Sequence, residues 1–189
     1  MKPQNRKDEI VKAAAKLFKK KGYSAVTMRD LATALGIKAA SLYNHINSKQ
    51  ELLNTIIISI AEEFTNEMNS IKNADTATAQ KLTDIVELHI KIASENTYGM
   101  ASLNNDWMHL EDQLEYYLTL RNGYEEDFRN IIKAGIKHKE IVDENPEIIL
   151  FSLLSTLRSL YLWIPKKEAL DKNSLSKSLS HILIKGINS

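Results

Sequence analysis

The residues able to do chemistry in this sequence are unevenly placed. Residues 1–50 carry eleven Lys or Arg and three acids, a net of +8, whereas residues 51–189 carry fourteen basic and twenty-one acidic residues, a net of −7. A basic segment joined to an acidic one suits a chain that grips a polyanion with one part only; a merely solvated surface is the competing reading of the same charge. Catalysis has less to work with. The five histidines, at 45, 89, 109, 138 and 181, are scattered, and neither a His-Glu-x-x-His pair nor a phosphate loop occurs. His109 with Glu111 or Asp112 is a neighbour group common in any helical protein, and no full constellation assembles around it. The expectation is a binding protein rather than an enzyme, with no metal and no cofactor. Cysteine is absent, which excludes disulfides and thiolate metal sites and fits a reducing cytoplasm.

A second group of chemically useful residues is aromatic and Met-rich: Tyr98, Met100, Trp107, Met108, Tyr116, Tyr117, Tyr124 and Phe128. At helical spacing such residues usually fill a core; they also suit the lining of an apolar pocket. Arg121 lies among them. Its guanidinium can pair with an anionic ligand head or with Glu125 one turn on, and the ion pair is the reading favoured here.

The elements that must hold these residues are helices throughout. Ile10, Val11, Ala14, Leu17 and Phe18 recur with a helical period, opposite a lysine face; Asn5 is the expected N-cap and Gly22 the terminator. Thr27 and Asp30 form a capping box that opens a short helix, and Gly36 supplies a positive-φ corner. A second short helix is predicted over about Ala39–His45. Two short helices about a glycine corner make a helix-turn-helix, and its place inside the +8 segment gives DNA as the polyanion: phosphates supply affinity and a short helix fits the major groove. Ser48 and Glu51 form a further capping box. Beyond it, helices are predicted over about Ser48–Ile71, Thr76–Ser94, Tyr98–His109, Leu110–Lys137, Pro146–Trp163 and Asn173–Ile187, giving an all-α chain of about nine helices. Domains are expected at 1–50 and 51–189, joined by a continuous helix rather than a linker. No run of about 18 apolar residues exists to span a membrane, and the polar amphipathic start gives no signal peptide.

The stretch Ile10–Leu53 resembles the DNA-binding domain of TetR-family regulators. The matching pieces are Ala13-Ala14-Ala15-Lys16-Leu17-Phe18, Lys21-Gly22-Tyr23, Val26-Thr27-Met28-Arg29-Asp30-Leu31-Ala32, Leu35-Gly36-Ile37, Leu42-Tyr43-Asn44-His45 and Ser48-Lys49-Gln50-Glu51-Leu52-Leu53. Ile46 departs from the usual phenylalanine, and Ala39-Ala40 stands where a glycine or polar residue is common.

The resemblance implies a homodimer on palindromic double-stranded operator DNA, with Thr27, Lys38, Ala39, Ala40, Ser41, Tyr43, Asn44, His45 and Lys49 as the contact set. In it Thr27 gives a donor to a phosphate, Lys38 reaches a phosphate or a guanine, and Ala39, Ala40 and Ser41 face the groove floor. Tyr43 and Lys49 meet the backbone and Asn44 can read adenine. Two alanines on the reading face leave direct readout sparse, so DNA shape is expected to contribute. The last two helices are expected to form a four-helix dimer interface, through Phe151, Leu154, Leu157, Tyr161, Leu175, Leu179, Ile182 and Leu183. The body is expected to enclose an apolar effector pocket lined by Trp107, Met108, Tyr117, Arg121, Tyr124 and Phe128. The run from Arg121 to Ile136 is similar to the matching helix of members responding to acyl-CoA or fatty acyl compounds. The implied activity is a repressor released by a hydrophobic small molecule; the alternative is a DNA-binding protein with no such effector, controlled by a protein partner.

Overall fold

Residue types with strong helical periodicity build nine α-helices among the described residues, which in this computed structural model are 6–167 and 171–186. In chain order they are α1 (Arg6–Lys21), α2 (Met28–Ala34), α3 (Ala39–Tyr43), α4 (Lys49–Asn73), α5 (Thr78–Glu95), α6 (Thr97–Asn105), α7 (Leu114–Lys137), α8 (Pro146–Trp163) and α9 (Lys172–Lys185). Short 3-10 turns cover Trp107–His109, Glu111–Gln113 and Ile164–Lys166. Asn5 and Ile187, named above as a cap and as a helix end, lie outside the described residues.

Two boundaries differ from the sequence expectation for local reasons. The helix expected from Leu110 starts at Leu114 because Glu111 takes a positive φ of 49°, which no α-helix accommodates. The second short helix ends at Tyr43 rather than His45, so Asn44 and His45 lie just past its end.

The chain packs as two compact units. The first holds the residues through Ala61 together with Tyr98–Tyr117; the second holds Glu62–Thr97 and Leu118 onward. The segment after α6 therefore packs with the N-terminal helices. In the first unit, α2 packs on both α1 and α3. Its core includes Ile10, Leu31, Leu42, Ile46, Leu52 and Ile57, all essentially without solvent contact. Ile46 thus fills the core in place of the aromatic usual in the TetR family.

In the second unit α5 is central and packs on α8 and α9. Its apolar face (Leu82, Ile85, Val86, Ile92) is buried together with Met68 of α4, Phe128 and Ile132 of α7, and Leu153 and Leu157 of α8. α8 begins with an Asn145 cap and Pro146 in the first turn, where a missing N–H costs nothing. Gly135 has a packing reason: a Cβ there would sit 2.5 Å from Thr78 Cγ2. The Thr78 N–H in turn donates to Glu140 at 2.6 Å.

The stretch Pro146–Lys166 is, among the described residues, the one helix long and apolar enough by composition to cross a membrane. Ser152, Ser155, Arg158 and Ser159 interrupt its leucines, so it holds no long uninterrupted apolar run. Its inner face is buried within the chain, at Leu153, Leu157 and Leu160.

Candidate nucleic-acid interface

The reading end of the first unit is set by backbone hydrogen bonds around a glycine. Gly36 has φ 66°, a conformation costly for any residue with a Cβ, and the Ile37 N–H closes the turn on the Ala32 carbonyl at 3.0 Å. The chain then enters α3 at Lys38. Leu42 is fully buried and Ile46 nearly so, and these two plugs fix which side of α3 faces out. On that side stand Lys38, Ala40, Ser41, Tyr43, Asn44 and His45, all exposed, with Ala39 half-buried. Tyr43 is 53% exposed, unusual for a large aromatic ring that packing alone could have used.

Two residues expected at the DNA backbone have partners within the protein. Thr27 spends both of its donors on Asp30: its N–H and its hydroxyl reach Asp30 Oδ2 at 2.9 and 2.5 Å, while its oxygen accepts the Asp30 N–H at 3.1 Å. Lys21 closes the cluster at 2.8 Å from Asp30 Oδ1, and this ammonium, with the Thr27 donors, holds the carboxyl well below its ordinary range. Lys49 is turned inward as well. Its Nζ donates to the Tyr23 carbonyl at 3.0 Å and the Ser24 carbonyl at 3.4 Å, and lies 4.3 Å from the Tyr23 ring centroid. Carbonyls just past the end of α1 are a natural partner for an ammonium, and that of Tyr23 accepts the Val26 N–H as well, at 3.2 Å.

A polar joint that sequence reasoning missed lies beside Lys49. The Tyr23 hydroxyl donates to Gln50 Oε1 at 2.6 Å, and Gln50 Nε2 donates to the His109 carbonyl at 2.7 Å. The Tyr23 and His109 rings stack at 5.3 Å. Asp106 lies close by, and burial raises its carboxyl above the usual value. Fifty-nine residues separate Gln50 from His109, so no local spacing could signal the contact. The capping box at the start of α4 is shifted by one residue. Glu51 N–H donates to Ser48 Oγ at 3.0 Å, but the Glu51 carboxylate accepts from Asn47 N–H at 2.8 Å, not from Ser48.

The residues expected to line a pocket fall into two groups. Trp107 and Tyr117 stack at 6.0 Å in the first unit, where Met108 is exposed. Tyr124 and Phe128 are buried in the second unit, where Arg121 pairs with Glu125 as expected, at 3.4 Å. Glu125 is held more closely by Arg158, at 2.5 Å. Around Tyr124 is a cluster the sequence did not single out. His89 Nε2 lies 2.9 Å from the Tyr124 hydroxyl, and the Phe64 ring lies 4.7 Å from His89 and 5.6 Å from Tyr124. Burial pushes the His89 imidazole down to about 3, helped by the positive charge of Arg158, and burial raises the Tyr124 phenol.

The eight residues expected at a subunit interface divide in a similar way. Leu154, Leu157, Tyr161 and Leu175 are buried within the single chain, and Leu179 and Leu183 are partly so. Phe151 and Ile182 are 71% and 67% exposed, and Ile148, Leu162 and Trp163 add to the outward apolar surface. A helix with a wide apolar face buries one strip in its own fold, and periodicity alone does not say which strip.

Comparison with known proteins matches both parts of the chain. Residues 10–56 match the family of bacterial regulatory proteins called tetR, and residues 75–187 match the tetracyclin repressor-like C-terminal domain. The chain is 23% identical over 187 residues to the transcriptional repressor KstR2 of Rhodococcus jostii, covering 97% of this chain and 92% of that one. It is 31% identical over 136 residues to KstR2 of Mycolicibacterium smegmatis, covering 71% and 66%. The structure of the ketosteroid transcriptional regulator KstR2 of Mycobacterium tuberculosis superposes with a TM-score of 0.91 over 100% of this chain and 97% of that one, at 18% identity. With the second match alone spanning more than half of its residues, the chain belongs to the TetR family and is a helix-turn-helix transcriptional regulator, not an enzyme.

Proposed function

We propose that this chain is a homodimeric repressor that holds a palindromic operator and releases it when the helical body takes up an apolar small molecule. The observation that carries the DNA half is the face of α3: Leu42 is buried while Lys38, Ala40, Ser41, Tyr43 and Asn44 face solvent. Lys38 and Tyr43 meet phosphates, Asn44 reads a base edge, and Ala39, Ala40 and Ser41 lie against the groove floor. His45 flanks the groove. Thr27 and Lys49 act by shaping the head. Homodimerisation supplies the second half-site, and the exposed Phe151 and Ile182 support a subunit contact through α8 and α9. A regulator of this kind works in the cytoplasm, where its DNA is.

The effector class follows from chemistry and relatives together. KstR2 of Mycobacterium tuberculosis is a ketosteroid regulator. α7 resembles the corresponding helix of members that answer to acyl-CoA or fatty acyl compounds. Both point to a carbon skeleton carrying a carbonyl. A second reading, control by a protein partner without a small molecule, draws on the close ring contacts among Phe64, His89, Tyr124 and Phe128, which suit a filled core. Release would come from a change in the separation of the two recognition helices away from about 34–36 Å. By linkage, operator DNA then weakens effector binding by the same factor.

Selection of bound sequences from a random duplex library tests the DNA half. Wild type should enrich a palindrome, and a Lys38→Ala, Tyr43→Ala double mutant should not. An equal yield from both would overturn the assignment of α3 as the reading helix.

A further inference from the structure

We propose that the His89–Tyr124 pair in the second unit is the polar anchor of the effector site, and that it takes a neutral apolar molecule through that molecule's carbonyl oxygen. This rests on the effector reading above and deepens it. His89 of α5 and Tyr124 of α7 are 3% and 7% exposed, and the rings of Phe64 and Phe128 pack against the pair. Within this apolar setting His89 Nδ1 is sealed from solvent and has no hydrogen-bond partner among the described residues. Buried polar atoms in native proteins are nearly always paired, because an unpaired one forfeits its hydration with nothing in return. A ring needed for volume alone would be served by phenylalanine, as it is next door at Phe64.

The chemistry of the pair says what the missing partner is. The bond of 2.9 Å joins a phenol to an imidazole nitrogen. A phenol is the better donor and an imidazole nitrogen the better acceptor, so Tyr124 donates to Nε2 and the imidazole hydrogen resides on Nδ1. The unpaired atom is then an N–H donor, and its complement is an acceptor oxygen. Charge narrows the class. Burial keeps His89 neutral, and the nearby guanidinium of Arg158 is bound to Glu125, so no free cation meets a carboxylate here. A desolvated carboxylate without a cation is strongly disfavoured; a ketone, ester or thioester oxygen is not. The flanking rings belong to α4 (Phe64) and α7 (Phe128) rather than to the helix that carries His89.

The test uses the full chain with 15N-labelled histidine, whose five ring signals are assigned with His89→Phe. The probes are trans-1-decalone, S-ethyl decanethioate and the hydrocarbon decalin. The ligand-free spectrum should place the His89 hydrogen on Nδ1, unchanged from pH 8 to pH 5. Decalone or the thioester should shift that Nδ1–H signal saturably; decalin should bind without shifting it. In His89→Phe the carbonyl probes should bind about tenfold more weakly and decalin no more weakly. A hydrogen on Nε2, or carbonyl binding that leaves the Nδ1 signal unmoved, overturns the anchor while sparing the effector reading. If none of the three probes binds, the effector reading falls too. If His89→Phe does not fold, single His→Gln replacements at 45, 109, 138 and 181 assign the His89 signal by elimination, and the wild-type spectra then decide the matter.

Discussion

Of its five residues α3 buries one side chain, Leu42; of its eighteen α8 buries seven and still exposes Ile148, Phe151, Leu162 and Trp163. The first helix is pinned at one point and turns small and polar groups outward. The second is anchored along its length and turns apolar groups outward. A helix pinned by one residue contributes little to its own stability and is free to present whatever chemistry the outside requires. A helix anchored along one whole side, yet apolar on the other, asks for a second surface of the same kind, which a two-fold copy of itself supplies.

The largest expected effect comes from breaking the outer faces of α8 and α9 together. Replacing Phe151 and Ile182 with glutamate leaves the inner face untouched. The variant should sediment as a monomer, and its affinity for a palindromic duplex should fall by about two to four orders of magnitude, because linked half-sites become independent ones. A variant that stays dimeric would remove the outer faces of α8 and α9 from the interface. On the α3 side, Leu42→Ala removes the plug that α3 itself carries and should cost about 2–5 kcal/mol in urea denaturation. A loss well below that range would mean that Ile46 and Gly36 hold α3 without it.

The next effect contrasts a buried titratable group with exposed ones. His89 is held at about 3 in the folded chain by burial. The unfolded chain takes up a proton below about 6.5 and the folded chain does not, so stability falls as pH drops from about 6.5 toward 3. At pH 5 the loss should be about 2 kcal/mol, and His89→Phe should remove it. The same slope in wild type and variant would place the acid sensitivity elsewhere. The smallest effect separates two lysines of the head. Lys38→Ala should flatten the salt dependence of operator binding by roughly 0.9 in log–log slope per half-site, and Lys49→Ala should leave it unchanged. Equal flattening would mean that the Lys49 ammonium leaves Tyr23 for a phosphate in the complex.

What could be read from the sequence follows the range of the contacts. The Thr27–Asp30 box, the Gly36 corner and the Asn145–Pro146 start of α8 are made between residues no more than five apart, and each was legible. The Arg121–Glu125 pair spans one turn and was legible too. The inward turn of Lys49 toward Tyr23, the Gln50–His109 bond and the His89–Tyr124 pair join residues 26, 59 and 35 apart. Nothing local distinguishes those side chains from solvated ones: in the sequence His89 is one histidine of five, and Lys49 one lysine in a basic run. In the sequence the Tyr98–Tyr117 segment continues the helical pattern of the body, and only contacts distant in sequence show that it packs with the N-terminal helices.

The length of α3 carries a consequence for how its targets are told apart. Five residues at about 1.5 Å each advance roughly 7.5 Å, little more than two base-pair steps of about 3.4 Å. A reader with so short a span, and two alanines on it, collects little information from each half-site. The distance between half-sites, measured by the subunit contact, then has to carry the rest of the discrimination among competing genomic sequences. On this view the protein works as a ruler more than as a reader of letters.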